Sequence, residues 1–153
     1  MKYTFIIVIF FYSVRHVWAV DCFDRAGVYY HIDSDLLRAI ALQESRGNPN
    51  AIGINHNGSI DVGLMQINSQ HAGFLKNYGI SMLNLKQNVC LNIFVGAYIL
   101  SKGFKKWGEG WNAVGAYNAG FKKDLNHIRK RYQYSKKVYR YYVEIKKKRG
   151  VTQ

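Results

Sequence analysis

The chain has 153 residues, which is enough for one compact domain and too few for two domains of ordinary size. It carries 22 lysine and arginine residues against 9 acidic ones, and residues 121–149 hold 12 of these cations but only 2 of the acids. The composition therefore excludes a multidomain protein, and it indicates a nearly neutral body followed by a basic C-terminal tail at about 122–153.

The N-terminal segment has the layout of a secretory signal peptide. A lysine precedes an apolar run from Tyr3 to Val14, and Val17-Trp18-Ala19 fits the small-x-small rule for signal peptidase. A membrane anchor is the less favoured alternative, because the run is short for a bilayer and Arg15 follows it. We therefore expect a signal peptide over residues 1–19, an exported domain over residues 20–153, and no stable membrane insertion after cleavage.

The exported part contains two cysteines, Cys22 and Cys90. An even number in an exported protein favours a disulfide over two free thiols. Such a bridge closes a long loop and contributes ~4 kcal/mol in the chain-entropy description. No cluster of cysteine and histidine has metal-ligand spacing, so we expect no metal and no cofactor.

The first helix is predicted over Leu36–Ser45, with Ser34 as its N-cap. Glu44 extends the apolar side of this helix at its C-terminal end. Burial disfavours the carboxylate and the negative end of the helix dipole adds to that effect, so we expect a raised pKa for Glu44. Such a carboxyl can protonate a glycosidic oxygen near neutral pH. The alternative is a glutamate that points to solvent, as most do.

Residues 50–63 are rich in asparagine and glycine, which predicts a loop or a small, irregular β-hairpin. A second long helix is predicted over Leu83–Lys102, with an inward row that consists of Val89, Ile93, Ala97 and Leu100.

A third helix is predicted over Trp107–Asn118, where the small residues Ala113, Gly115 and Ala116 let another backbone approach closely. The last segment, Asn126–Lys148, is aromatic and basic with helical character. The fold class predicted from these elements is mainly α (α+β), with a small β element.

Three blocks occur in order along the chain: Ala41–Pro49, Gly63–Asn68 and Ala116–Gly120. Together they resemble the soluble lytic transglycosylase family over about Cys22 to Tyr142. Small size, an export signal and two cysteines make the chain similar in particular to the virulence-associated transglycosylases of type III secretion systems. The resemblance implies a lysozyme-like helical domain, a β-hairpin beside an active-site cleft, and a periplasmic enzyme.

The resemblance also implies roles for single residues. Glu44 is similar to the family's catalytic acid/base. The residues implied in substrate binding or in positioning the carboxyl are Ser45, Met65, Gln66, Tyr117, Asn118 and Tyr134. Core packing is the alternative for Met65 and Tyr117, and a hydrogen bond to backbone is the alternative for Gln66 and Asn118.

Asp61 departs from the pattern of many soluble transglycosylases. The segment Ser59–Ser69 is similar to c-type lysozymes, in which the aspartate is a second catalytic carboxyl. Asp61 can therefore stabilise an oxocarbenium-like centre or a covalent sugar. The alternative is an aspartate that orders the loop through backbone contacts. Two chemistries stay open at this point, a transglycosylase route with a 1,6-anhydro product and hydrolysis by water.

The resemblance implies peptidoglycan glycan strands as the partner, cleavage of the β-1,4 bond between N-acetylmuramic acid and N-acetylglucosamine, and local opening of the wall for a secretion system. A non-catalytic wall-binding assembly factor is the alternative. The basic tail is interpreted as a solvated helix face, an attraction to the anionic wall, or a dock for a secretion-apparatus component. Export argues against nucleic acid as the partner, and we expect a monomer.

Overall fold

A computed structural model describes residues 21–150 of the chain. Most of these residues are helical, and three short strands form one antiparallel sheet in the order β1-β2-β3. This is the mainly α fold with a small β element that the sequence predicts. The elements are α1 Cys22–Tyr30, α2 Ser34–Ser45, β1 Ile52–Ile54, β2 Ile60–Val62, β3 Ile67–Asn68, a 3-10 turn Ser69–His71, α3 Ala72–Lys76, α4 Met82–Gln87, α5 Val89–Trp107, α6 Trp111–Ala119 and α7 Leu125–Lys148.

The hydrophobic core lies where α2, α5 and α7 meet the loop and strand that follow β2. Burying one large aliphatic side chain contributes about 1.5–3 kcal/mol, so these contacts are the main source of stability. The largest fully buried apolar side chains are Leu37, Ile40, Met65, Ile67, Leu85, Leu100 and Val138.

The ends of α2 are set by local hydrogen bonds. The N-cap is Asp33, whose carboxylate accepts from the backbone N–H of Asp35 at 2.8 Å. The predicted cap, Ser34, is instead the first helical residue, because the aspartate one position earlier reaches the free amide. Arg46 takes a left-handed conformation with φ 55°, so the helix ends one residue after Glu44.

The predicted helix over Leu83–Lys102 is two helices. Asn88 has extended backbone (φ −120°, ψ 100°), and its side chain accepts from the N–H of Leu91 at 2.9 Å, so it caps α5. The break turns Val89 towards solvent, where 40% of it is exposed, and the predicted inward row therefore lacks it. The other members of that row, Ile93, Ala97 and Leu100, are buried.

The third predicted helix begins four residues later than expected, at Trp111, and ends at Ala119. Its small residues do allow close approach, as the sequence indicates. A Cβ added at Gly115 would lie 2.5 Å from the carbonyl oxygen of Arg131, so only glycine lets α6 and α7 pack at this distance.

The C-terminal segment is not a separate cationic arm, because α7 packs against α2 and α6. Arg131 is buried, lies 4.8 Å from the Trp107 ring centre, and donates to the carbonyl of Lys122 at 2.7 Å. At the far end of the helix, Lys146 contacts the carboxylate of Asp33 at 2.8 Å. Two cations of the predicted basic tail, Arg131 and Lys146, therefore hold α7 against the rest of the domain.

Cys22, at the start of α1, is joined by a disulfide to Cys90 in α5, with their Cα atoms 5.3 Å apart. The predicted signal peptide, residues 1–19, lies outside the described residues. No helix in the described part of the chain combines the length and hydropathy needed to cross a membrane.

Candidate active site

A cavity of about 760 Å³ opens between the sheet and the helices. Its volume is in the range of small-molecule sites. The end of α2 brings Glu44 to it, β2 brings Asp61, and the end of α6 brings Tyr117 and Asn118. Gln66 and Asn68 also line it, so the cavity brings together residues from all three sequence blocks with Asp61.

Glu44 lies in the last turn of α2 and is partly buried. The hydroxyl of Tyr134, from α7, donates a hydrogen bond to Glu44 Oε1 at 2.5 Å. Burial raises the pKa of Glu44 to about 7, the hydrogen bond from Tyr134 opposes that rise, and the negative charge of Asp61 adds to it. The carboxyl is therefore divided between its protonated and ionised forms near neutral pH.

Tyr117 forms the cavity surface next to Glu44. Its hydroxyl donates to the carbonyl oxygen of Met65 at 2.8 Å, which ties α6 to the loop between β2 and β3. Burial raises the pKa of both Tyr117 and Tyr134 well above the usual value, and the negative charge of Glu44 adds to it. Both phenols therefore stay neutral and serve as donors.

Asp61 lies in β2, opposite Asn68 of β3. The side-chain amide of Asn68 donates to Asp61 Oδ1 at 2.7 Å, and that of Asn55 donates to Oδ2 at 2.8 Å. Each carboxyl oxygen accepts one of these hydrogen bonds, so the two amides fix the orientation of the Asp61 side chain. Asp61 thus both orders the loop and lines the cavity.

Two predicted substrate residues lie behind the cavity surface. The Ser45 hydroxyl is buried and donates to the carbonyl of Leu64 at 2.8 Å. Met65 is fully buried against Gly96, where an added Cβ would lie 2.9 Å from Met65 Cβ. Ser45, at the end of α2, and Met65, in the turn after β2, both direct their side chains into the protein and are not part of the cavity lining. For Met65 this is the core packing that the sequence offers as the alternative. They support the site from behind.

Gln66 and Asn118 do line the cavity. The Gln66 side-chain amide donates to the carbonyls of Gly63 at 2.8 Å and Ala51 at 3.2 Å, so both of its hydrogens are used by backbone. Its carbonyl oxygen is left as the atom that can face a ligand. Asn118, at the end of α6, is exposed and lines the same cavity.

The residue that supports the loop between β2 and β3 was not identified from the sequence. Asn92 is fully buried in α5, accepts from the N–H of Met65 at 2.8 Å, and donates to the carbonyl of Val62 at 2.9 Å. A buried polar group needs such partners. The available signal was an asparagine among the apolar residues of a predicted core helix.

An aromatic end of the cavity was also missed. The rings of Phe74 and Tyr98 are stacked with centres 5.4 Å apart and an interplanar angle of 1°. Lys102 lies over both rings, with its ammonium 5.3 Å from the centre of Phe74. These residues come from α3 and α5, and no motif in the sequence joins them.

Comparison with known proteins identifies the family. The model of the transglycosylase SLT domain matches residues 21–140. The chain is 52% identical over 133 residues to an X polypeptide of Escherichia coli, covering 87% of this chain and 79% of that one. It is 50% identical over 146 residues to the invasion protein IagB of Salmonella typhimurium SL1344, covering 95% of this chain and 89% of IagB. Protein IpgF of Shigella flexneri is 40% identical over 144 residues, covering 94% of this chain and 91% of IpgF.

A solved structure has the same fold. It is the X-ray structure of an inactive mutant of the lytic transglycosylase Slt from Pseudomonas aeruginosa, with a TM-score of 0.67 and 25% identity. The match covers 86% of this chain and 24% of that one, so this chain corresponds to about a quarter of the length of Slt. With the family model spanning most of the chain, this chain belongs to the transglycosylase SLT domain family and is a lytic transglycosylase.

Proposed function

We propose that the chain cleaves the β-1,4 bond between N-acetylmuramic acid and N-acetylglucosamine of peptidoglycan, with Glu44 as the proton-transferring group. The proposal rests on the partly buried Glu44 carboxyl. This group lines the cavity, accepts a hydrogen bond from the Tyr134 hydroxyl, and has a pKa raised to about 7 by burial. A group that gives and then takes a proton at neutral pH works best with such a pKa.

In the proposed reaction, Glu44 donates its proton to the glycosidic oxygen as the bond from that oxygen to C1 of the N-acetylmuramic acid breaks. The N-acetylglucosamine unit leaves as an alcohol, and the acetamido group of the N-acetylmuramic acid stabilises the positive charge at C1. Ionised Glu44 then takes the proton of the C6 hydroxyl, whose oxygen closes on C1. The product is a 1,6-anhydro sugar, Glu44 is protonated again, and no water is consumed.

The neighbours of Glu44 suit these steps. Tyr134 occupies Oε1, which leaves Oε2 for the sugar. The free carbonyl oxygen of Gln66 can accept from an acetamido N–H, because both hydrogens of this side chain are used by backbone. Tyr117 and Asn118 line the same cavity, where a ring face and an open amide suit sugar C–H and hydroxyl groups.

Hydrolysis is the second candidate, and Asp61 is the observation that favours it. Its carboxylate lines the cavity and is held by two asparagines, as suits a group that stabilises positive charge at C1 while water attacks. The mass of the products separates the routes, since an anhydro end is one water lighter than a reducing end. We expect mainly anhydro ends from purified sacculi, and a predominance of reducing ends would instead support hydrolysis.

Solubilisation of purified sacculi tests the enzymatic proposal itself. Glu44→Gln keeps the shape of the side chain and an acceptor for Tyr134 but removes the proton, so we expect release of muropeptides to stop. Glu109→Gln is the matched control, because Glu109 is exposed and lies outside the cavity lining. Unchanged solubilisation by Glu44→Gln would overturn the role of Glu44, and a wild-type chain that binds sacculi without solubilising them would be a non-catalytic wall-binding factor.

We further propose that residues 1–19 are removed on export, that residues 20–153 act as a monomer in the periplasm, and that the enzyme opens the wall locally for a secretion system. The disulfide suits an oxidising compartment. The invasion-protein name of the Salmonella relative supports a role in virulence. N-terminal sequencing of the periplasmic protein tests the cleavage. Secretion by a deletion strain, restored by the wild-type chain and not by Glu44→Gln, tests the role.

A further inference from the structure

The side of α7 that faces solvent carries a row of four cations, Arg129, Lys136, Arg140 and Lys147. Their spacings of seven, four and seven residues place them within about 40° of one another around the helix, at about 100° per residue. At about 1.5 Å per residue, the row is roughly 27 Å long. All four are exposed, and among residues 21–150 none of them forms an ion pair. We call this set the cationic row.

A second row runs beside it and is apolar. The same arithmetic places its five members within about 60° of one another, next to the cationic row. They are large and exposed, which is unusual for a helix that only needs a solvated face. The members of this apolar row, with their exposed fractions, are Leu125 82%, Ile128 45%, Tyr132 66%, Tyr139 49% and Val143 43%.

We propose that these two rows together bind the surface of an anionic lipid bilayer, as a peripheral contact that lies in the interface. Cations beside exposed aliphatic and aromatic side chains are the pattern of helices that lie on membranes. The charge is complementary, because α7 contains nine basic residues and a single acidic one, Glu144. Nucleic acid is less favoured, since Leu125, Ile128 and Val143 offer no ring on which a base can stack.

The packing of α7 gives the bound enzyme an orientation. Its buried residues, Arg131, Tyr134, Ser135 and Val138, lie opposite the cationic row, and the apolar row lies between that row and this buried side. Tyr134 reaches Glu44 from that side. A bilayer under the rows would therefore leave the cavity facing away from the lipid, towards whatever polymer lies above the membrane. This inference does not depend on the reaction proposed above.

Vesicle sedimentation tests the proposal on the chain purified from the periplasm, so that every variant has the same N-terminus. We expect binding to vesicles that mix phosphatidylglycerol with phosphatidylcholine, no binding to phosphatidylcholine alone, and weaker binding as salt is added. Substituting all four residues of the cationic row by glutamine should weaken binding by more than about 100-fold, because each cation near such a surface contributes about fivefold.

The matched control removes the same charge elsewhere. Lys76, Lys86, Lys105 and Lys123 are exposed and outside the two rows, and their substitution by glutamine should weaken binding by less than about tenfold. Equal losses in the two variants would show that net charge alone attracts the lipid, and would overturn the proposal.

The apolar row is tested by Leu125→Ser, Tyr132→Ser and Val143→Ser in one chain. We expect binding about tenfold or more weaker with the salt dependence retained, because the charges remain. Circular dichroism melts should match the wild type, since all substituted side chains point away from the core. Binding to single-stranded nucleic acid without binding to anionic vesicles would overturn the proposal in favour of a polyanion site.

Discussion

The cleft has two walls that each carry a carboxyl, and the walls are built in opposite ways. On the helical wall, Glu44 is partly buried and contacts Tyr134, which lies 90 positions away in the chain. On the sheet wall, Asp61 is held by Asn55 and Asn68, which lie six and seven positions away. One wall is dry and depends on long-range packing, while the other is polar and local.

The difference shows how the same functional group, a carboxyl, is placed in two unlike environments. Burial on the helical wall raises the pKa of Glu44, and amide donors on the sheet wall supply Asp61 with the hydrogen bonds that a carboxylate needs. The walls also interact, because the charge of Asp61 helps to raise the pKa of Glu44. A buried carboxyl that faces a second carboxyl in a polar, hydrogen-bonded environment is typical of enzymes that cleave glycosidic bonds.

The largest expected effect is the loss of activity when the carboxyl of Glu44, on the helical wall, is replaced by an amide. Glu44→Gln should lower the rate of sacculus solubilisation by about 1,000-fold or more, because proton transfer by a positioned group contributes 10²–10⁴-fold in general. Initial rates of muropeptide release measure it. If Asp61→Asn lowered the rate more than Glu44→Gln, Asp61 rather than Glu44 would be the proton-transferring group.

The same substitution should change stability in a pH-dependent way. The folded pKa of Glu44, about 7, exceeds the ordinary value of 4.5, so the folded state binds more protons and stability falls as pH rises through this window. At pH values above the window, Glu44→Gln should be more stable than wild type by about 3 kcal/mol, and below it the two should be similar. Urea unfolding above and below the window measures this.

Glu109→Gln is the control for that comparison, because Glu109 is exposed. A stability difference between Glu44→Gln and wild type that stays the same on both sides of the window would mean that the Glu44 carboxyl is well solvated.

Removing the phenol from the helical wall should have the next largest effect. Tyr134→Phe keeps the ring but loses the donor to Glu44, and a hydrogen bond to a charged group contributes about 1.5–3 kcal/mol, so we expect a loss of roughly 30-fold. The bond lowers the pKa of Glu44, so the alkaline limb of the pH–rate profile should move to higher pH. Tyr132→Phe, on the exposed side of the same helix, is the control.

Asp61→Asn should move the alkaline limb of the pH–rate profile in the opposite direction, to lower pH. Removal of its charge lowers the pKa of Glu44, so activity should be lost at lower pH than in the wild type. The rate itself should fall by about tenfold, because one charge in an open, polar site stabilises a cationic centre only modestly. Shifts of Tyr134→Phe and Asp61→Asn in the same direction would contradict the description of the two walls.

The smallest effect is expected on the sheet wall itself. Asn55→Ala removes one exposed hydrogen bond from Asp61 while Asn68 keeps the other, so the rate should fall by about threefold. Asn126→Ala, an exposed asparagine on α7, controls for the substitution type. A loss as large as that of Asp61→Asn would show that the carboxylate depends on Asn55 for its position.

Several features were predictable because they depend on near neighbours in the chain. Apolar periodicity placed α2, the aromatic and basic segment Asn126–Lys148 was predicted to be helical, and the run of asparagine and glycine indicated the small sheet. The errors have the same origin. The helix over Leu83–Lys102 was predicted as continuous, whereas the Asn88 side chain caps a new helix and decides the break.

Residues next to each other in a motif also separate once the chain folds. Glu44 faces the cavity while Ser45 is buried behind it, and Gln66 lines the cavity while Met65 is in the core. The resemblance implied all four for the site, but the direction of each side chain depends on the turn that carries it. A motif therefore locates a site more reliably than it assigns the atoms that touch a ligand.

By itself, the sequence determined the approximate positions of α2, α5, α6 and α7, the asparagine- and glycine-rich segment that carries Asp61, and the place of Glu44 at the end of an amphipathic helix. Only the tertiary structure decided that Tyr134 meets Glu44, that this carboxyl is dry enough for a pKa of about 7, and that the basic C-terminal segment packs as α7. The physical reason is the distance along the chain over which each interaction acts. Caps and periodicity act over a few residues, whereas burial is set by atoms that distant parts of the chain bring together.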